Sequence, residues 1–492
     1  MKKLLKKAMP VILLASMLAG CSFGGDKDAK KNEVSTLKVM YYDEGQFFQH
    51  YGMLFSAIYP NVDIQVVSTQ ELYNNQGGAE GEEFDPEKKK KELIEREKPD
   101  LIMMDIKDYG KAAEEGTLLD LSSYMTKDKF QTEGLIPGML DHMKELGGGQ
   151  LYGLPSSVSS QVLFYNKDLF DKHNIEYPTD QMTWSEVLHL AKQFPTDGKP
   201  EERIYGLKVG YSGDLHQLSS ALASSEGLKF VDAATKKMSI NTTGWEKAVQ
   251  TAVDAIKSKS MYVDNQENNM MGSNFSYEDH LLRDPFISGR LAMSIDGNYI
   301  LSQINEATNY IKEEGRVVKN WDVVTVPVSE QFPDESSNTW YDPIFGIAKD
   351  SPNADAAWQF ISYVSSEEYA RVKAKTPNYN GFPIHTKYIK DEEGRNFAAF
   401  YKLKPSKNSS SLEYDRLPKA FNEGFYDMMR QELKEVEDGK KEIKEALEII
   451  QIKGEELLSV PDKDEKKAAE GTAGAATTEE VAPSPEATTT TE

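Results

Sequence analysis

Leu18-Ala19-Gly20-Cys21 sets the only cysteine of the chain behind small residues and a short apolar run. The chemistry open to a thiol in that setting is attachment of a diacylglyceryl group. Lys2, Lys3, Lys6 and Lys7 form a cationic start, and the apolar stretch from Ala8 to Ala19 is shorter than a bilayer-spanning helix. Residues 1–20 therefore read as an export signal cleaved before Cys21. Each buried methylene contributes about 0.8 kcal/mol to membrane affinity, so two acyl chains hold a protein where one is marginal. The expectation is an anchor on the extracytoplasmic face of the cell membrane. With Cys21 lipidated, no second thiol is left for a disulfide.

Other chemistry finds little support. The seven histidines (50, 142, 173, 189, 216, 280, 385) are scattered, with no His-x-x-x-His pair, so no metal site and no cofactor is expected. Gly-x-Ser-x-Gly, Walker and Gly-x-Gly-x-x-Gly loops are absent from the sequence. Among 80 acidic residues a facing pair could always be imagined, which makes abundance no sign of a glycosidase. A formal charge of −23 repels phosphate backbones and argues against nucleic acid as a partner. No enzyme is indicated.

A chain of 492 residues suits two domains after loss of the signal. Residues 21–35 are polar and Gly-containing, a flexible spacer. Leu37, Val39 and Tyr41 alternate as in a strand; Phe47, Tyr51, Leu54, Phe55 and Ile58 follow helical spacing; Val62, Ile64 and Val66 alternate again. Residues 71–85 form an acidic, Gly-rich insertion. Asp85-Pro86 reads as the cap and first position of a helix leading to a strand at Leu101 to Met104. This alternation predicts an α/β fold with a mainly parallel sheet. Thr183 to Glu186 spells a capping box, Ser351-Pro352 opens another amphipathic helix, and residues 418–458 are helical with a break at Asp438-Gly439. From 461 to 492, Ala, Thr, Glu and Pro dominate and Val481 is the only branched aliphatic residue, which predicts a disordered tail.

Four segments, in order, resemble the extracellular solute-binding proteins of ABC importers, the type that includes maltose- and oligosaccharide-binding lipoproteins. They are Lys98 to Asp105 continuing through Leu121, Leu151 to Pro155 followed by Val162 to Phe170, Phe286 to Tyr299, and Phe345 to Pro352 with the helix through Tyr363. The resemblance implies a two-lobed periplasmic-binding-protein-like fold (type II) with a hinge, lobe 1 formed by 36–153 and 328–375 and lobe 2 by 156–325 and 383–458. Crossings fall near Gly153 to Pro155, Thr325 to Val328 and Thr376 to Pro383. It also implies a monomer that closes on a carbohydrate, an oligosaccharide above all, and hands it to an ABC transporter permease. A transporter-independent cell-surface interaction lipoprotein on the same fold is the alternative, for which the tail and the 71–85 insertion speak.

On that resemblance, Tyr42, Asp43 and Asp105 end strands facing the cleft. Tyr299 stands where sugar binders carry a stacking aromatic, with Asp296 and Asn298 beside it to accept hydroxyl hydrogens. Trp340 and Tyr341 belong to the cleft rim. Met104 departs from the aromatic that maltose binders can carry there, which speaks against maltose itself.

Overall fold

The computed structural model describes residues 34–73, 85–200, 202–264, 276–375, 381–391, 393–406 and 417–461. The export signal, Cys21, nearly all of the spacer, positions 74–84 of the insertion, positions 376–380 of the third expected crossing and the tail beyond 461 lie outside the described residues.

Strand β1 (Ser35–Tyr41) buries Leu37, Val39 and Tyr41 and pairs in parallel with β2 (Val62–Ser68) in the register Leu37↔Ile64 and Val39↔Val66. The helical run between them is not uniform: Glu44–Phe47 and Met53–Ile58 are α-helical, while Phe48–Gly52 forms one wider π turn. Gly52 permits it, since a Cβ there would meet the Phe48 ring at 2.6 Å. Asp85 caps the helix Pro86–Glu97 through the Lys88 amide at 3.0 Å, and β3 (Leu101–Met104) and β4 (Gly153–Pro155) follow.

The chain then continues through β5 (Ser157–Asn166), β6 (Tyr205–Val209), β7 (Leu291–Gly297), β8 (Trp321–Thr325), β9 (Thr339–Tyr341) and β10 (Ile344–Ile347). Two sheets result. One has the order β2-β1-β3-β10-β4; the other has the order β8-β5-β7-β6, with β9 and Phe382–Pro383 also pairing on β5. Two apolar cores form, and the first also takes in Val162, Phe164 and Val323 from one face of the second sheet. Phe47, Phe55, Phe345 and Phe360 cluster in the first, and Phe170, Trp245, Phe421 and Phe425 in the second. Each fully buried side chain of this size contributes roughly 1.5–3 kcal/mol. The fold is a two-lobed α/β architecture.

The expected capping box is present: Thr183 Oγ1 accepts from the Glu186 amide while Glu186 accepts from the Thr183 amide at 2.7 Å. Ser351 does not open its helix, which spans Ala354–Val364. Its hydroxyl and the Asn353 amide group are drawn instead to the buried Asp100 carboxylate, at 2.6 and 3.2 Å. The C-terminal helices Lys419–Glu437 and Ile443–Leu458 pack on each other, and Gly439 (φ 70°) turns the chain between them.

Two crossings differ from expectation. After β8, Val326 and Val328 stay in the second core and the Val328 amide donates to Met182 O. The chain re-enters the first sheet only at Ile344, so the passage lies at Asp342-Pro343 rather than at Thr325 to Val328. Farther on, Ile384 O accepts from the Ile136 amide and His385 Nε2 meets Ser365 O at 3.0 Å. Residues just after Pro383 therefore pack on the first lobe before the chain returns to the second at Arg395 and Asn396, which donate to Trp321 O at 3.1 Å and Asp322 Oδ1 at 2.8 Å. Among the described residues no helix is long and apolar enough to cross a membrane.

Candidate functional site

The first lobe brings Tyr42, Asp43 and Asp105 to one sheet edge. Tyr42 ends half-exposed beside Tyr73, with ring centroids 5.8 Å apart. Asp43 follows β1 and caps the next helix through the Gln46 amide at 2.9 Å; Asp105 follows β3 and caps Ile106–Glu114 through the Asp108 amide at 2.7 Å. One oxygen of each carboxylate is thus committed to a helix start, which fixes the other in place.

β10 runs antiparallel to β3 with Ile344 opposite Met104, so Asp342 reaches the same edge. Burial, together with the Asp105 charge, pushes the Asp342 carboxyl up to about 6, against the opposing effect of Lys373. Burial also lowers the Lys373 ammonium to about 8 although Asp342 favours its charge. Tyr41 Oη meets His50 Nδ1 at 3.1 Å beside them. Asp342 adjoins Trp340 and Tyr341 of the expected cleft rim, whereas Lys373 is a candidate that sequence reasoning missed, because it comes from the helix Glu367–Lys373, far along the chain from Asp105.

The second lobe presents a cavity of about 530 Å³ lined entirely by residues between Pro200 and Glu306. Tyr205, Tyr211, Tyr262 and Tyr299 supply aromatic walls, and Lys208, Asp264, Asp284 and Glu306 supply charge. Four rings with interspersed polar groups suit a hydroxylated ring or chain, which needs both an apolar face and hydrogen-bond partners. Tyr299 is 48 % exposed, and its hydroxyl donates to Asp296 Oδ1 at 2.5 Å. Gly297 makes room for the ring, whose Cδ1 would lie 3.0 Å from a Cβ at that position. Burial, then the Asp296 charge, pushes the Tyr299 phenol well above its ordinary value, so it stays protonated.

Asp296 and Tyr341 differ from their expected roles. Asp296 is 2 % exposed and both its oxygens are engaged, Oδ1 by Tyr299 and Oδ2 by Ser294 with Lys208 Nζ at 3.5 Å. Its side chain supports Tyr299 and does not face the cavity. Tyr341 lies in the core, its ring 6.0 Å from His142, because alternation along β9 turns it inward and leaves Trp340 40 % exposed. Asn298 is buried as well. Trp340 pairs with Ser159 and Gly297 with Gln161, so β5 carries the Trp340 strand and the Tyr299 turn two residues apart.

The model of the family described as bacterial extracellular solute-binding protein matches residues 30–371. The chain belongs to this family. Solute-binding proteins are binding proteins rather than enzymes. Curated relatives are distant: a mannitol-binding protein of Pseudomonas aeruginosa is 22 % identical over 52 % of this chain and 54 % of its own length. The match thus spans about half of that relative. Among solved structures, the sugar-binding protein MalE of Xanthomonas citri superposes with a TM-score of 0.60 at 18 % identity, covering 89 % of this chain and 99 % of that one. A substrate-binding protein of Listeria monocytogenes, solved with cycloalternan, gives 0.55 at 20 % identity over 87 % of this solute-binding protein and all of its own chain. These likenesses carry the two-lobed periplasmic fold.

Proposed function

We propose that this chain is a lipid-anchored receptor that captures an uncharged carbohydrate or polyol between its lobes for an ABC importer. The observation that carries the reading is Tyr299, a half-exposed ring held on the wall of an aromatic, polar-lined cavity. Trp340 is the second platform, and Asp43 and Asp105 offer their uncommitted carboxylate oxygens from the opposite lobe. The mannitol-binding relative supports a polyhydroxyl ligand. The lobes comprise residues 36–153 with most of 344–375, and 156–341 with the C-terminal helices, acting as a monomer. Cys21 supplies the anchor, which mass spectrometry of membrane-fraction protein tests; an unmodified Cys21 there rejects it.

A thermal-shift panel of sugars, polyols, peptides and ions tests capture, since only a specific ligand raises the melting temperature by mass action. Calorimetry with a sugar that does so, on Tyr299→Ala and Trp340→Ala, should show binding weakened by about 1–4 kcal/mol at little cost in stability. Unchanged affinity with lost stability would make both rings packing residues.

A further inference from the structure

Lys208 is an ammonium set between Leu207 and Val209 in a strand whose five residues are all buried. Its charge is balanced from two sides. Nζ donates to Asp284 Oδ2 at 2.6 Å and stands 3.5 Å from Asp296 Oδ2. Burial works against this ammonium, but the carboxylates of Asp296 and Asp284 outweigh it and raise its pKa. Asp284 is fixed in turn, since Oδ1 accepts from the amides of Phe286 at 2.8 Å and Ile287 at 3.3 Å. On the other side, β6 runs parallel to β7 with Lys208 opposite Ser294, and the Ser294 hydroxyl donates to the same Asp296 oxygen that faces Lys208. The remaining Asp296 oxygen accepts the Tyr299 hydroxyl. A continuous chain of charge-assisted contacts thus runs from the turn at 284–287 through Lys208 and Asp296 to the ring on the cavity wall.

We propose that Lys208 and Asp284 are positioning residues for Tyr299: through Asp296 they hold the ring in one orientation on the cavity wall, ready to receive ligand. The proposal rests on the reading of Tyr299 as a ligand platform. A phenol free to rotate would lose orientational freedom on binding, whereas one tied to a carboxylate that is itself tied to an ammonium is already ordered. Charge-assisted hydrogen bonds are about twice as strong as neutral ones, and linked bonds strengthen one another, which suits them to fixing a partly exposed ring. The proton of Tyr299 is spent on Asp296, so its oxygen faces the cavity as an acceptor for ligand hydroxyls.

The test places 3-fluorotyrosine at position 299 of the full chain and follows its 19F resonance without any ligand, so it stands apart from whether a sugar binds. Lys208→Met should displace or split the line, Lys208→Arg should restore most of its position, and Asp284→Asn, which keeps the side chain's shape, should displace it less. Leu222→Ala, a core truncation in the same lobe away from this chain of contacts, should lower the melting temperature and leave the line where it was. If Lys208→Met fails to fold, Asp284→Asn decides alone. A native line position in the folded Lys208→Met or Asp284→Asn variant overturns the proposal, as does a displacement in Leu222→Ala equal to theirs. If the lines move as expected and no panel compound raises the melting temperature, the positioning stands and the capture reading fails.

Discussion

Lys208 and Lys373 are both buried ammoniums near the edge of a sheet, and the two lobes treat them in opposite ways. Lys208 is held between the carboxylates of Asp284 and Asp296 with its pKa raised. Lys373 is 9 % exposed and lies within salt-bridge reach of no acid among the described residues; Asp342 acts on it only across a gap, and its pKa falls to about 8. In the second lobe burial of charge is compensated and the geometry is fixed. In the first lobe it is left partly uncompensated at the edge that carries Asp43, Asp105 and Asp342. An ammonium and a carboxylate held apart in this way offset less of their burial than a set in direct contact does.

That contrast predicts opposite signs for equivalent substitutions. Lys208→Met removes the cation held between two carboxylates and should cost about 3–5 kcal/mol, read as a lower urea midpoint. Lys373→Met should instead stabilise, by up to about 3 kcal/mol. Its sign with pH follows from the lowered pKa: the native lysine regains full stability only above its unfolded value of 10.5 and loses it as pH falls through about 8. The gain from Lys373→Met should therefore be largest below pH 8 and vanish toward 10.5. Equal losses for both substitutions would erase the comparison.

A smaller effect is expected from Asp342→Asn. The raised carboxyl contributes fully to stability below 3.8 and loses that contribution as pH rises through about 6. Melting temperatures of wild type and variant should coincide in acid and separate between those values, with the variant higher above 6. The smallest effect belongs to Tyr42→Ala, at an exposed position, whose unfolding free energy should stay within about 0.5 kcal/mol of wild type.

Local features of the fold were legible in the sequence. Alternation gave β1 and β2, Asp85-Pro86 marked a helix start, and Thr183 with Glu186 closed a capping box. Each of these depends on residues a few positions apart. The π turn at Phe48–Gly52 was hidden because its cause is a ring packed over a glycine, and Ser351 was misplaced because the distant Asp100 takes its hydroxyl. Among the candidate site residues, Tyr299 and Trp340 are exposed as their expected roles require, whereas packing turns Asp296 and Tyr341 inward. The cavity's other walls come from separate stretches around Tyr205, Tyr262 and Asp284, yet one signal was present: a lysine between Leu207 and Val209 announces a buried partner.

The long strand β5 begins where the lobes meet. The Ser157 hydroxyl donates to Asp342 O at 2.8 Å and the Ser156 amide to Pro343 O at 3.0 Å, a two-point clasp on neighbouring segments. Trp340 faces Ser159, only two residues along, roughly 7 Å from this pivot. Trp340 and the Tyr299 turn both ride on β5, so a turn of the lobes about the clasp would carry the two rings together as one body and change only their distance from Asp43 and Asp105 on the first sheet.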